Sequence, residues 1–485
     1  MSSKIKLRSF FYIILLNIFS LSISSTPVGK QSINDSRTKE YKFVSRSQFP
    51  AKKEAHALKN KILFCRGKPT TKEQPSTTDQ QQRVPVKKEE EPSFIFVFSG
   101  YIKPEFFVDS RQVFGCRANQ TLFNPECRLY DRCCRDINAH GQFNILAIES
   151  RVRTEIIGPS IGSAKSKGVI EADFYGVRED MINSLRMRHA YFSLTWKNRE
   201  LLLGQYWHPI TSPECYPQTL SFNCGGPMDP YKRVPQIRIT RFIRPLELIA
   251  AVSSAVHFVN NGPIGFSSSY LRNAIVPNLS FLIQARPSTH LIGAGIDFKR
   301  LVPRLVSNNN FKVSESINSL TALAYTAFNW ETFALRAKIA LAQNGSVFTL
   351  LGGYAVHSIQ PDTDHRTYTN LNTITAWIDF NRVHKKVEPG CLIGYTKNLG
   401  ATSTIIPCLQ QNDSCESLVY TFLYPNIDYV FRISPRIRIY YKPVVFGAEL
   451  EYTRAAFGQL NNRGRINCPR PVENIRLLLA AFYFF

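Results

Sequence analysis

The last stretch of the chain, Asn474 to Phe485, is the feature that most limits the possible folds. It reads Asn-Ile-Arg-Leu-Leu-Leu-Ala-Ala-Phe-Tyr-Phe-Phe and carries no charge after Arg476. In water, an apolar segment of strand length would be an aggregation-prone edge. A β-strand of about 9 to 11 residues, however, crosses a bilayer. We therefore interpret the segment as the closing strand of a transmembrane β-barrel, paired with the first strand because every backbone N–H and C=O in a membrane needs a partner. The alternative is a buried strand of a soluble β-sandwich.

The amino terminus has the layout of a secretory signal peptide. Residues 1–25 contain the basic side chains Lys4, Lys6 and Arg8, then an apolar run, then small serines near a possible cleavage site. After this run no apolar, uncharged stretch reaches the length of about 18 residues that a membrane helix needs. The mature chain is thus expected to be exported and, if it enters a membrane, to cross it with strands.

Residues 26–93 form a polar segment rich in Lys, Gln, Ser, Thr and Pro. Such a composition cannot bury enough apolar surface to fold alone, so we expect a flexible periplasmic extension. One part has heptad spacing typical of a short coiled coil between subunits. Its apolar positions are Ala51, Ala55, Leu58, Ile62 and Cys65.

The chain is strongly basic, with a formal net charge of +24 and 60 Lys and Arg residues. The excess is spread along the sequence and forms no single basic tract of the kind that binds nucleic acid, so no nucleic acid partner is expected. It predicts either a solvated basic surface or a positively charged conduit, since rings of Arg or Lys favour anions.

The eleven cysteines of an exported chain indicate an oxidising compartment and some disulfides. Cys215 with Cys224, and Cys408 with Cys415, lie close together in turn-rich stretches and are predicted to staple loops. A further group has no deducible pairing and comprises Cys116, Cys127, Cys133 and Cys134. A zinc site is the alternative, although the spacing of structural zinc ligands is not found. No metal or cofactor is predicted.

Residues 94–485 read as sixteen alternating runs, joined by connections that are alternately long and short. In the run 427–441, apolar residues such as Phe431 and Ile437 share one parity, and polar residues such as Arg432 share the other. Short turns on one rim and long loops on the other are typical of outer-membrane barrels. The sequence therefore predicts an all-β, antiparallel barrel of about 16 strands, with 14 or 18 left open. The long connection 209–234 is predicted to fold inward and narrow the lumen.

Charged residues collect on the parity that is predicted to face the lumen. Basic residues opposite acidic ones would create a transverse field that filters solutes by charge. Alternatively, these charges pair across strands and stabilise the wall. Arg436 and Arg438 are expected to form such pairs with Glu449 and Glu451. The predicted pore-lining residues are Glu149, Arg151, Arg153, Glu171, Asp173, Arg186, Arg188, Arg238, Arg336, Lys338, Arg432, Arg436 and Arg438.

Several segments resemble those of a porin-like family of diderm bacteria, over most of residues 94–300. They are Gly100–Phe107, Gly141–Asn144, Arg151–Arg153, Arg188–Tyr191 and Gly204–Pro209. The resemblance implies a 16-stranded diffusion channel in the outer membrane, commonly trimeric, with the loop after the fifth strand at the constriction. The end of the chain is similar to the signal read by the barrel-assembly machinery, with Phe485, Tyr483, Ala481, Leu479 and Leu477 at alternate positions. The cysteines and the long extension depart from this family.

No enzyme is predicted. The histidines that could act as bases lie in no nucleophile, metalloprotease or phosphate-binding motif; they are His189, His208, His257, His290 and His384. The sequence favours a porin for passive diffusion of small hydrophilic solutes, with a bias towards anions, through a water-filled pore lined by arginines. The alternative is an outer-membrane adhesin or interaction barrel with a plugged or narrow lumen.

Overall fold

A computed structural model describes residues 93–256, 258–382, 386–411 and 414–485. The predicted signal peptide and the predicted coiled coil of the extension lie outside these residues, as do His257 and His384. No helix in the described part of the chain combines the length and apolarity required to span a membrane.

The described chain is almost entirely β-structure. Its strands are β1 (Ile95–Ile102), β2 (Glu105–Asp109), β3 (Val113–Cys116), β4 (Thr121–Pro125), β5 (Gln142–Leu146), β6 (Arg151–Ile157), β7 (Lys165–Asp173), β8 (Arg186–Thr195), β9 (Arg199–Trp207), β10 (Arg233–Ile243), β11 (Leu246–Ser253), β12 (Asn278–Ala285), β13 (Leu291–Leu301), β14 (Ile317–Asn329), β15 (Phe333–Gln343), β16 (Gly353–Ile359), β17 (Arg366–Arg382), β18 (Val387–Ala401), β19 (Cys408–Gln411), β20 (Ser414–Ser417), β21 (Val419–Thr421), β22 (Ile427–Tyr441), β23 (Val444–Leu460) and β24 (Ile466–Phe484). One α-helical turn, α1 (Ser269–Arg272), and three 3-10 turns, Glu179–Met181, Pro209–Thr211 and Gly345–Phe348, lie in connections.

Sixteen antiparallel strands form a closed barrel. The first wall strand is β1 continued by β2, and the second is β5 continued by β6, since β1 pairs with β6 and β2 with β5. The other wall strands are β7 to β15, β17, β18 and β22 to β24. The predicted count of sixteen is confirmed over 14 and 18.

The barrel closes where the sequence predicted, between its last and first strands. β24 pairs with β23 on one side and with β2 and β1 on the other. At the end of the seam, the Gly100 N–H donates to the Phe485 carbonyl (3.0 Å) and the Phe485 N–H donates to the Gly100 carbonyl (3.2 Å). Closure removes the free edge that this apolar strand would otherwise expose.

The inner and outer faces of the wall have opposite polarity. Along β22, Arg432 and Ser434 are fully buried, whereas Ile437 and Tyr441 are exposed. The apolar residues therefore face outward and the polar residues inward, which is the reverse of a soluble sandwich and the pattern expected of strands in lipid.

Short turns and long loops alternate as predicted, and three of the long loops carry strands that the sequence did not indicate. β3 and β4 form a hairpin in the loop 110–141. β16 pairs with β17 and with β21. β17 begins as early as Arg366 because its first part, up to Leu371, pairs with the loop strand β16.

Candidate pore and constriction

The loop 208–232, which joins β9 to β10, folds into the lumen and is bonded to the opposite wall. The Asp229 carboxylate accepts hydrogen bonds from Lys338 Nζ (2.7 Å) on β15 and from Trp377 Nε1 (2.8 Å) on β17. The Gln218 N–H donates to the Asp379 carboxylate (3.4 Å) on β17. The predicted inward fold of this loop is confirmed.

The middle of the same loop is held by backbone groups. The N–H groups of Leu220 and Ser221 both donate to the Glu449 carboxylate on β23, the latter over 3.1 Å. Lys103 Nζ, at the break between β1 and β2, donates to the Leu220 carbonyl (2.6 Å). A Cβ added at Gly447 would lie 2.5 Å from Leu220 Cδ1, so the wall has no room for a side chain at this point.

The loop 110–141 also enters the lumen, which the sequence analysis did not predict. The guanidinium of Arg432 donates to the carbonyls of Leu122 (3.0 Å) and Phe123 (3.1 Å) in this loop, and to the carbonyl of Gly226 (2.7 Å) in loop 208–232. One wall arginine thus binds both loops. The signal that could have revealed this is the apolar sequence of the hairpin, because Leu122 and Phe123 have no reason to lie in an exposed loop.

The wall formed by β6 to β8 carries arginines paired with carboxylates on β7. Arg188 Nε lies 2.7 Å from Glu171 Oε1, Arg186 Nη2 lies 2.8 Å from Asp173 Oδ2, and Arg153 Nη1 lies 3.1 Å from Glu171 Oε2. Arg151 is within 3.7 Å of Glu171. The acidic groups therefore sit beside the arginines on neighbouring strands, where they neutralise part of the wall's charge.

Two further arginines on β10 take part in none of the ion pairs found among the described residues. Arg233 is 1% exposed, its Nη1 donates to the Tyr231 hydroxyl, and its Nε and Nη2 have no hydrogen-bond partner. Arg238 donates to Gln236 Oε1 (3.0 Å) and to the Trp207 carbonyl (2.5 Å). Arg233 was not predicted to line the pore because it falls within the predicted connection 209–234, whereas β10 begins at this residue.

Aromatic rings surround the Arg233 guanidinium. Its Cζ lies 5.0 Å from the ring centroid of Trp207, 5.3 Å from that of Tyr231 and 5.7 Å from that of Phe258. Arg188 Cζ lies 5.8 Å from the ring of Trp207. Because aromatic faces attract cations but supply no negative charge, they hold the arginine in place without neutralising it.

Two cavities lie on either side of the cluster formed by Arg233, Arg188 and the aromatic rings around them. One, of about 280 Å³, has Arg238 in its wall and lies near the short turns, since Phe242 and Arg286 also line it. The other, of about 370 Å³, has Arg186 in its wall and extends to the long-loop residue Phe422. The segment between the two cavities is the candidate constriction.

Comparison with solved structures identifies the architecture. The outer membrane channel DcaP of Acinetobacter baumannii superimposes with a TM-score of 0.56 at 15% identity, covering 81% of this chain and 97% of that chain. The chain has a porin-type barrel. An anion-selective porin from Comamonas acidovorans (TM-score 0.47, 7% identity, 81% and 100% covered) and the trimer form of OmpT, an outer membrane protein of Vibrio cholerae (0.46, 9%, 81% and 100%), are more distant. No protein-family model matches the sequence, and no curated protein matches it.

The predicted staple of loop 208–232 is wrong, because Cys215 and Cys224 are free thiols in this porin-type barrel. The Cys215 thiol instead donates to the wall carbonyls of Thr326 (3.2 Å) and Ala337 (3.3 Å). The loop is held by its bonds to the wall, which makes a staple unnecessary. Cys408 is disulfide-bonded, and the pairing predicted for it stays a prediction. The other cysteine group also consists of free thiols, Cys116, Cys127, Cys133 and Cys134.

Several of the predicted pore-lining residues lie beneath the inward loops of the porin-type barrel. Lys338, Arg432 and Arg436 are buried there, where they contact loop atoms or wall carboxylates. The expected pairing of Arg436 and Arg438 with Glu449 and Glu451 is wrong in its partners. Arg436 Nη1 lies 2.8 Å from Asp379, and Arg438 Nη1 lies 2.8 Å from Glu388 on β18, because the loop backbone occupies Glu449.

The last two predicted residues make polar contacts within the wall. Glu149 accepts hydrogen bonds from Lys103 Nζ and from the Tyr101 hydroxyl (3.1 Å). Arg336 Nη1 donates to Asn381 Oδ1 (3.1 Å).

Proposed function

We propose that this protein is an outer-membrane porin through which small hydrophilic solutes diffuse passively, with a preference for anions. The observation that carries the proposal is the position of Arg233 and Arg238, two arginines without carboxylate partners between the two lumen cavities. A guanidinium stays charged at all accessible pH values, so these groups supply a permanent positive potential. In a narrow passage with low-dielectric walls, such a potential raises the local concentration of anions.

The paired arginines of β6 and β8 contribute less to this preference. Arg186 and Arg188 lie close to Asp173 and Glu171, so each pair is nearly neutral at a distance. Arg151 and Arg153 share the Glu171 carboxylate with Arg188, so the four arginines outnumber the two carboxylates of β7 and keep part of their positive charge. In this proposal they shape the passage and add to its positive potential, while Arg233 and Arg238 supply the charge that no carboxylate pairs with.

The experiment is a planar-bilayer measurement of the refolded chain in a salt gradient. The parent should conduct steadily, with a reversal potential on the anion-selective side. Replacing Arg233→Gln and Arg238→Gln together should move the reversal potential towards zero, because the cations without carboxylate partners are removed. Arg382→Gln is the matched control, since this arginine is exposed at the short-turn end of β17. An unchanged reversal potential in the double variant would contradict the assignment of charge.

We also propose that the short-turn rim faces the periplasm and that the protein forms a homotrimer, in keeping with porins in general. Phe485, at the seam, is then the residue that the barrel-assembly machinery would recognise. Chemical crosslinking of the protein in outer-membrane fragments tests the trimer. A ladder that ends at a dimer, or at the monomer, would exclude it.

A second candidate function is an adhesin or interaction barrel with a plugged lumen. It is favoured by the two inward loops, because the hairpin β3–β4 brings Leu122 and Phe123 into the interior as a buried apolar core. The bilayer measurement separates the two functions. A folded barrel that passes no current under any salt condition would favour the interaction barrel and place its binding surface on the long loops.

A further inference from the structure

The outer surface of the barrel has an apolar groove of about 720 Å³ across β10 to β14. Larger side chains, among them Phe281, Ile283 and Ile296, border it and point away from the lumen. Its floor is low because alanines alternate with these larger residues in the register. Ala250 lies opposite Ile239 and Phe281, and Ala294 lies opposite Ile283. Such a depression in a lipid-facing wall has the shape and polarity that suit an acyl chain.

Two arginines lie at the short-turn end of this groove. Arg241 of β10, which lines the groove, is directly opposite Arg199 of β9 in the strand register. Arg241 lies between the outward-facing Ile239 and Ile243, so its side chain starts on the lipid face. Like charges directly opposite each other on a sheet destabilise it unless an anion lies between them.

No carboxylate of the neighbouring strands relieves this repulsion. Glu247, the acidic residue of β11, has the inward parity and is bound by Arg286 Nε (2.5 Å). Glu200 of β9 lines the lumen cavity. Arg199 instead lies over the ring of Trp196, with its Cζ 4.8 Å from the centroid, an arrangement that fits the membrane interface, where tryptophans are enriched.

We propose that this groove binds one phospholipid of the periplasmic leaflet, with its acyl chain on the alanine floor and its anionic headgroup between Arg199 and Arg241. The inference rests on the outer-membrane placement given above, but on neither conductance nor selectivity. Basic pockets beside apolar membrane surfaces bind anionic headgroups, with about 1 kcal/mol of attraction for each Lys or Arg near the surface.

A second copy of the chain fits this surface less well. The outward parity of β10 to β14 carries mostly apolar residues, together with arginine, Asn318 and Thr326, but no carboxylate. A symmetric contact through this face would therefore bring arginines together without a counter-charge. A phosphate headgroup supplies the missing negative charge and, in a membrane, is already at the right depth.

The test uses native mass spectrometry of the refolded full chain in detergent, titrated with phosphatidylglycerol or with phosphatidylcholine of the same acyl chains. The parent should retain phosphatidylglycerol at lower concentration than phosphatidylcholine. Arg199→Gln with Arg241→Gln should weaken phosphatidylglycerol binding by about 25-fold, from the attraction of two arginines near the surface. The control Arg382→Gln should leave it unchanged, since the cross-strand neighbour of Arg382 is Phe333.

A second variant tests the groove itself. Ala250→Leu with Ala294→Leu fills the floor and should reduce binding of both lipids. The proposal is overturned if phosphatidylglycerol and phosphatidylcholine bind the parent equally, if Arg382→Gln loses as much binding as the double arginine variant, or if the filled groove still binds lipid. It is equally overturned if Arg199→Gln with Arg241→Gln converts an oligomer of the parent into monomers while phosphatidylglycerol binding stays unchanged. Bilayer currents of all these variants should match the parent, so failure here is distinct from failure of the porin proposal.

Discussion

Arg432 shows how much of the interior depends on a single guanidinium. This side chain has five N–H donors in a rigid planar fork, and it directs them at carbonyls of two different loops and at the Thr453 hydroxyl (2.8 Å). A lysine at this position has a single nitrogen and could not reach all of these acceptors. Because the group is completely buried, each carbonyl left without a donor would remain without water.

We expect Arg432→Lys to destabilise the barrel and loosen both inward loops. Loss of at least one buried hydrogen bond should cost about 1 to 3 kcal/mol, measurable as a lower midpoint of denaturant unfolding. Arg438→Lys is the control, because Arg438 is partly exposed and donates to carbonyls of Gln218 and Thr219 in one loop only. Equal losses for the two variants would contradict a special role of Arg432.

Gly447→Ala should displace the loop that packs against it. The new methyl group would meet Leu220, whose side chain is 2% exposed and has little room to move, so a cost of about 1 to 3 kcal/mol is expected from overpacking. Gly168→Ala is the matched control, since its nearest contact would be an ordinary 3.6 Å to Ile156. Unfolding midpoints measure both. A Gly447→Ala barrel as stable as the control would show that Leu220 yields freely.

The residues that sequence reasoning could predict are those in regular strands. The parity rule places Arg186 and Arg432 on the inward face because their neighbours alternate. It cannot identify the partner of a side chain, so Arg436 was expected to pair with Glu449 or Glu451 although it binds Asp379. It also fails at strand ends, where Arg233 lies among Trp207 of β9 and the rings of Tyr231 and Phe258, which come from two connections whose paths no local pattern indicates.

At the scale of elements, loop 208–232 is held in place by hydrogen bonds between wall side chains and the loop, most of them to its backbone groups. The sequence predicted that this loop enters the lumen but attributed its shape to a disulfide. In the structure Glu449 and Glu451 of β23, Asp379 of β17 and Lys338 of β15 bind it from the wall. The hairpin β3–β4 was missed because inward loops bury apolar residues with no strand-like period that distinguishes them from the wall.

Glu449→Ala should make single-channel currents noisier than those of the parent. The variant leaves the N–H groups of Leu220 and Ser221 without an acceptor inside the barrel, so the loop segment should fluctuate between positions. Glu449→Gln keeps one acceptor oxygen and should be intermediate. Equal noise in the alanine variant and the parent would show that the other tethers suffice.

Reducing agents should leave the channel unchanged. Cys215 and Cys224 are free, and burial raises the pKa of their thiols to about 11 and about 12, so they should also react slowly with thiol reagents at neutral pH. Bilayer traces with and without reductant, together with the rate of labelling, measure this. A change in conductance on reduction would revive the predicted staple.

At the scale of the whole molecule, closure is the property that the sequence predicted best. An apolar terminal strand has one arrangement in a membrane that satisfies its backbone, and the structure has that arrangement. Removal of Phe485 deletes both hydrogen bonds to Gly100 and the aromatic contact with that glycine.

We therefore expect the chain lacking Phe485 to refold poorly into detergent micelles. The measurement is the fraction that migrates as a compact, heat-modifiable species on electrophoresis without boiling. Phe485→Tyr, which keeps the ring and the backbone, should refold like the parent. Efficient closure of the truncated chain would show that the seam is fixed upstream, by the pairing of β24 with β2.

Most tethers of the inward loop 208–232 come from β14, β15, β17, β22 and β23, with one more from Lys103 between β1 and β2. The arginines on the other side of the passage come from β6, β8 and β10. Aperture and charge are therefore encoded in opposite halves of one cylinder. In the proposed porin, mutations on β6 to β10 would exchange one preferred solute for another while the gap stays the same, and mutations on β15 to β23 would alter the gap while the preference stays. Such a porin would adapt to a new nutrient or exclude a toxin by changing one half at a time.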